Sequence, residues 1–222
     1  MCDPFSIAAR RRRETEARLA SPIMSRISRT DGAGFMRRDE AWSEITELSP
    51  NEFRVRLGGP FRGAWLASLT TRLAVHHISI DHTHARLTGE SIWIAELHLI
   101  ALPNAPDLTT LDYIALAESA DGEQQESRPA VARLDTHRLI ESRAYGGTLM
   151  LTLEAKDTLG LLGSLLAALA AEELFPVEMH IETRGGQAYD SLWLTTTAGA
   201  PPNTTQLEAA ERLLTSARTG TT

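Results

Sequence analysis

Cysteine is nearly absent from this chain. Cys2 stands alone among 222 residues, which excludes an internal disulfide framework and cysteine-rich metal sites. Lysine is equally scarce: Lys156 is the only one, so arginine carries the basic charge, a bias of coding before chemistry. No apolar run approaches the roughly 20 residues needed to span a bilayer, and no signal-type pattern opens the chain. A cytoplasmic location with no membrane span is therefore expected. The sequence also lacks a Gly-x-x-x-x-Gly-Lys-Ser/Thr phosphate cradle, a Gly-x-Ser-x-Gly elbow, and any nucleotidyltransferase or metal-dependent hydrolase motif.

What is present is ordinary for a globular protein, 42% hydrophobic and 23% charged. The net charge of −7 is unevenly spread. Nine arginines face four carboxylates in residues 1–38, with Arg10 to Arg13 consecutive, so the remainder is strongly acidic. Nucleic acid is not an expected partner of an acidic body, although a basic arm suits local contact with another molecule. Residues 1–45 read as this arm, part helical and part disordered, with Pro22 ending a helix over Ile7 to Leu19. Trp42 falls outside the expected domains.

The most patterned stretch begins at Thr148. Leu149, Leu151 and Leu153 alternate with Met150, Thr152 and Glu154, which predicts a strand. After a turn over Lys156 to Gly160, Leu161, Leu162, Leu165, Leu166 and Leu169 form the apolar stripe of a helix. Phe175, Val177, Met179 and Ile181 then alternate with Glu178, His180 and Glu182. Gly185-Gly186 signals a tight hairpin, and Gln187 to Thr196 returns. A last helix is predicted with Thr205 and Glu208 as a capping box and Leu207, Ala210, Glu211 and Leu214 on one face.

An earlier copy of this order runs from Asn51. Phe53, Val55 and Leu57 alternate, the segment Gly58 to Gly63 turns, and Trp65, Leu66, Leu69 and Leu73, with Phe61, mark a helix. Two strands follow, joined at Leu87 to Glu90, then a helix over Asp107 to Ser119 capped by Asp107. A shift of 97 residues aligns Gly63 with Gly160, Gly89 with Gly186, Ile80 with Val177 and Leu97 with Leu194, evidence of an internal repeat. A polar loop spans residues 120–128, and Pro129 to Ile140 is expected to close the first unit. The second unit has little chain left for a closing strand, so an edge borrowed from the first unit or from a second chain is expected.

The fold class is therefore α+β: two ferredoxin-like (βαββαβ) sandwiches in tandem, over residues 46–140 and 141–222, behind the arm. The segment Asp157-Thr158-Leu159-Gly160-Leu161-Leu162 and the run Thr183 to Asp190 resemble an ACT domain, a small regulatory module. Paired ACT domains also end the bacterial uridylyltransferase/uridylyl-removing enzyme of nitrogen signalling, and Pro129-Ala130-Val131 is similar to the segment preceding the last of them. Leu159 stands where the family usually has proline.

The resemblance implies an amino-acid-type ligand at the turn between first strand and first helix. Helix N-terminal N–H groups favour a carboxylate, and glycine admits close backbone approach. The ligand-binding residues expected are Asp157, Thr158, Leu159, Gly160 and Leu161, with Gly59, Arg62 and Gly63 in the first unit. A plain capped turn that binds nothing is the bland alternative. The chain then reads as a regulator rather than an enzyme, with no cofactor and no metal, acting as a homodimer through sheet edges or on a protein partner.

Five histidines crowd the first unit: His76, His77, His82, His84 and His98. His82 and His84 share a face, which the repeat aligns with Met179 and Ile181, toward the helices. Asp81 is expected on the opposite face, and His98 and Glu96 opposite Trp93, Ala95 and Leu97. The rival reading is a biosynthetic enzyme of cyclase or isomerase type, with a pocket lined by catalytic His82 and His84 assisted by Asp81 and Glu96. A third is a pure protein-interaction module.

Overall fold

Alternation of apolar and polar residues recurs in eight segments, and each is a strand: β1 (Trp42–Ser49), β2 (Glu52–Pro60), β3 (Ile78–Leu87), β4 (Ile92–Ala101), β5 (Thr136–Ser142), β6 (Thr148–Lys156), β7 (Phe175–Arg184) and β8 (Gln187–Thr195). The structure, a computed structural model, describes residues 40–60, 62–88, 91–118, 131, 133–197 and 199–219. The arm through residue 39 and the polar loop 120–128 lie outside the described residues. All described residues belong to one compact unit.

The eight strands form one antiparallel sheet in the order β1-β2-β4-β3-β7-β8-β6-β5. The internal order of the first four strands is that of the last four, and the two sets meet where β3 pairs with β7. Among the described residues, four α-helices accompany the sheet: α1 (Trp65–Val75), α2 (Tyr113–Glu118), α3 (Leu161–Ala171) and α4 (Thr204–Thr219). Strands β2, β3, β4, β6 and β8 read largely as a buried face against an open one, because one side packs on helices and the other meets water, whereas β7 is buried on both faces from Phe175 to Met179.

The leucine stripe of α3 is wholly buried, and Trp65, Leu66, Leu69 and Leu73 of α1 join it in a common core with Leu57, Leu97, Leu151 and Leu192. Burying each such side chain contributes about 1.5–3 kcal/mol. Helices α1 and α3 touch closely at one point: a Cβ on Gly163 would lie 2.8 Å from Thr71 Oγ1 and 2.9 Å from its backbone nitrogen. The hairpin between β7 and β8 turns on Gly185 and Gly186, both with positive φ (59° and 79°), as a tight primed turn requires.

Several expectations need correction. Residues Gly58, Gly59 and Pro60 do not turn; they complete β2, paired with Ile94, Trp93 and Ile92. The segment expected to close the first unit supplies β5, which pairs with β6 instead. The corresponding neighbour of β2 is β1, so Trp42 lies in the sheet, its indole against Gly58. The boundaries expected at 45/46 and 140/141 each fall within a strand. Asp107 caps a 3₁₀ turn, Leu108–Thr110, whereas α2 is capped by Asp112, whose carboxylate accepts from Ile114 and Ala115. The capping box of α4 is Asn203 with Gln206, at 3.0 and 3.1 Å, rather than Thr205 with Glu208.

Candidate functional site

Bulges decide which side chains reach the open face. Asp81 is an extra residue in β3 opposite β4, and Val177 is an extra residue in β7 opposite β8. The two bulges are 96 residues apart, not 97. A one-residue change of register turns every following side chain over. Thr83 and Ala85 therefore align with Met179 and Ile181 on the helix side, and His82 and His84 lie on the open face. The expectation that these histidines face the helices is overturned. His98 and Glu96 do share their face, since His98 is the register partner of His82 and Glu96 that of His84. Asp81 also reaches His82, with Oδ2 2.8 Å from Nδ1, because the bulge breaks the simple alternation.

A trough of 690 Å³ runs across this open face. One wall is the cross-strand row His82, Glu182, Tyr189, Glu154 and Thr136, and the other is His84, His180, Ser191, Thr152 and Arg138. His82 stacks on His98 with centroids 4.7 Å apart, and His84 on His180 at 4.6 Å. The side chains of His82 and His84 are 56% and 51% exposed, so the trough is open to water rather than an enclosed cavity.

At the centre of the face, His84 Nε2 and His180 Nε2 both reach Glu178 Oε1, at 2.8 and 3.1 Å. The Glu178 side chain is only 11% exposed, and Arg86 is its register partner on β3. Trp193 meets His180 edge-on at 5.6 Å, and Tyr145 meets Trp193 at 6.1 Å. Burial, then the charge of Glu178 and a hydrogen bond to it, raise the pKa of the Tyr145 phenol. Tyr145 has φ of 54°, left-handed for a non-glycine residue, and Gly146 and Gly147 follow with φ of 81° and 106°. Glu178, His180, Trp193 and Tyr145 were missed as site residues. The alternation of β7 placed Glu178 and His180 on its polar face, but nothing local paired that face with His84, 94 residues away.

The turn before α3 is also well defined. Gly160 is the N-cap with φ of 88°, and Leu161 N–H donates to Thr158 at 3.0 Å. Thr158 and Leu159 are exposed, Leu161 is buried, and Asp157 Oδ2 accepts from the Thr183 hydroxyl at 3.1 Å. On the helix side of β8, opposite Leu153 of β6 and Ile181 of β7, is a residue the sequence reading passed over. Asp190 is 2% exposed, its Oδ1 has no hydrogen-bond partner, and its carboxyl is pushed up to about 7. Burial is the main cause and the charge of Asp157 adds to it, against a lowering hydrogen bond from the Glu182 backbone.

The first-unit counterpart is not assembled in the same way. Gly59 is buried in β2, with Ala41 3.0 Å from where its Cβ would be. Gly63 lies beneath the ring of Phe175, and Arg62 pairs with Glu118 at 3.5 Å. His76 and His77 follow α1 rather than joining the trough. None of the described helices is long and apolar enough to cross a membrane.

No family model and no curated protein matches the chain. Among solved structures, the crystal structure of aspartate kinase from Synechocystis overlaps 74% of this chain and 26% of its own, with 13% identity and a TM-score of 0.38. This chain thus spans about a quarter of that kinase, and at that similarity the overlap carries no argument about fold or function.

Proposed function

We propose that this chain is a regulatory protein that binds a small amino-acid-type ligand beside the Asp157–Leu161 turn, its two halves being ferredoxin-like, ACT-type units of the kind paired in the uridylyltransferase/uridylyl-removing enzyme. The observation that supports the reading is Asp190. A buried carboxyl group with an oxygen lacking a partner is costly unless something else meets it. An ammonium group on a ligand supplies that partner, and Asp157, whose charge acts on Asp190, supplies a second carboxylate. The helix start at Gly160 then suits the ligand's own carboxylate.

An ammonium ligand favours ionised Asp190, so affinity rises with pH until about 7 and then levels. The test is calorimetric titration of the purified protein with the amino acids at pH 6 and pH 8. Binding that is tighter at pH 8 and lost in Asp157→Ala and Asp190→Asn, but kept in His84→Ala, is the expected outcome. No binding by any amino acid sinks the reading. The outer edges of the sheet, β1 and β5, are the surfaces through which a homodimer is proposed, and sedimentation velocity measures it.

A second reading is favoured by the trough: an acid–base enzyme using His82 and His84, with Asp81 on His82 and Glu96 nearby. Turnover lost in His82→Ala and Asp81→Asn would favour it over the regulator.

A further inference from the structure

We propose that His84, Glu178 and His180 form a binding site for one divalent transition-metal ion, held by the two Nε2 atoms and Oε1. The three donor atoms already converge, with Nε2–Oε1 distances of 2.8 and 3.1 Å and all three within 4.8 Å of one another. Donors placed tetrahedrally at about 2.0–2.1 Å from a metal are separated by about 3.3 Å, near the 2.8 and 3.1 Å found here, and the two stacked imidazoles turn toward each other to aim both nitrogens at one ion. The imidazoles share one carboxylate oxygen as hydrogen-bond donors, and a metal replaces both shared protons with bonds to a single centre.

The arrangement is built rather than incidental. The donors sit on β3 and β7, the two central strands of the sheet, not on loops. Glu178 is buried, and outside the donor set Trp193 meets His180 edge-on at 5.6 Å, with Tyr145 against Trp193 at 6.1 Å. Half-exposed imidazoles leave the remaining coordination positions open to the trough. Two imidazoles and one carboxylate select zinc, cobalt, nickel or copper over calcium and magnesium, which take oxygen ligands.

A second group, Asp81 with His82 and His98, lies farther along the same face. It has no comparable buried carboxylate, and it serves as the internal control.

The experiment uses the full chain, dialysed against chelator and titrated with Co²⁺ and with Zn²⁺. One equivalent should bind, with the visible absorption of Co²⁺ in a nitrogen–oxygen site and a rise in melting temperature. Co²⁺ should quench Trp193, whose ring meets His180 at 5.6 Å, and Trp193→Phe should lose that quenching while keeping the equivalent. His84→Ala and His180→Ala should each weaken binding more than about 100-fold. His98→Ala should bind as the parent does. His84→Gln and His180→Gln, which retain side-chain bulk at exposed positions, replace any alanine variant that fails to fold by circular dichroism. Absence of a bound equivalent overturns the proposal, as does an equivalent lost in His98→Ala but retained in His84→Ala. Metal binding is independent of amino-acid binding at Asp157, so either reading can fail alone.

Discussion

His84 and His180 are register partners across the β3–β7 seam, their rings stacked 4.6 Å apart and 20° from parallel. The same seam turns Ala85 and Met179 toward the core, both fully buried. Polar chemistry on one face and core packing on the other thus depend on one strand pairing.

Met179→Ala tests whether the two halves fold together. It deletes a core side chain at the seam and should cost about 2–5 kcal/mol. Urea unfolding followed by tryptophan fluorescence and by circular dichroism should give coincident single transitions before and after the substitution. Separate transitions for the two probes would show that the halves unfold independently.

Asp190 should make stability fall between about pH 4 and pH 7. Below that range the carboxyl is neutral in both states. As pH rises the unfolded chain ionises near 3.8 while the folded protein holds its proton to about 7, so the unfolded state is favoured, and above 7 the loss is complete. The difference corresponds to about 4 kcal/mol. Asp190→Asn should flatten this part of the stability profile, read from urea midpoints at a series of pH values.

Gly163→Ala sets two effects against each other. Alanine is favoured over glycine in a helix by about 1 kcal/mol. Here its Cβ would meet the backbone of Thr71 at 2.9 Å, and backbone cannot swing aside. Overpacking of this kind costs about 1–3 kcal/mol, so a net loss of stability is expected in thermal unfolding.

Asn203→Ala should remove the carbonyl that caps α4 and cost about 1 kcal/mol. Thr205→Ala should be nearly neutral by the same assay. The reverse order of effects would return the capping box to Thr205 and Glu208.

Local pattern alone determined most of the elements. Leu161 to Leu169 made α3, the paired glycines at 185 and 186 made the hairpin, and alternation from Leu149 and from Phe175 made β6 and β7, because period and turn chemistry are properties of neighbouring residues. Tertiary structure decided the rest. A bulge at Asp81 is a single unpaired residue that exists only relative to a partner strand, and it alone sends His82 and His84 to the open face. Strand order likewise depends on which edges find each other: β5 met β6 rather than closing the first half, and β1 took up Trp42. The meeting of His84 with Glu178 and His180, and the burial of Asp190 between Leu153 and Ile181, join residues far apart in the chain, and only the folded sheet brings them together.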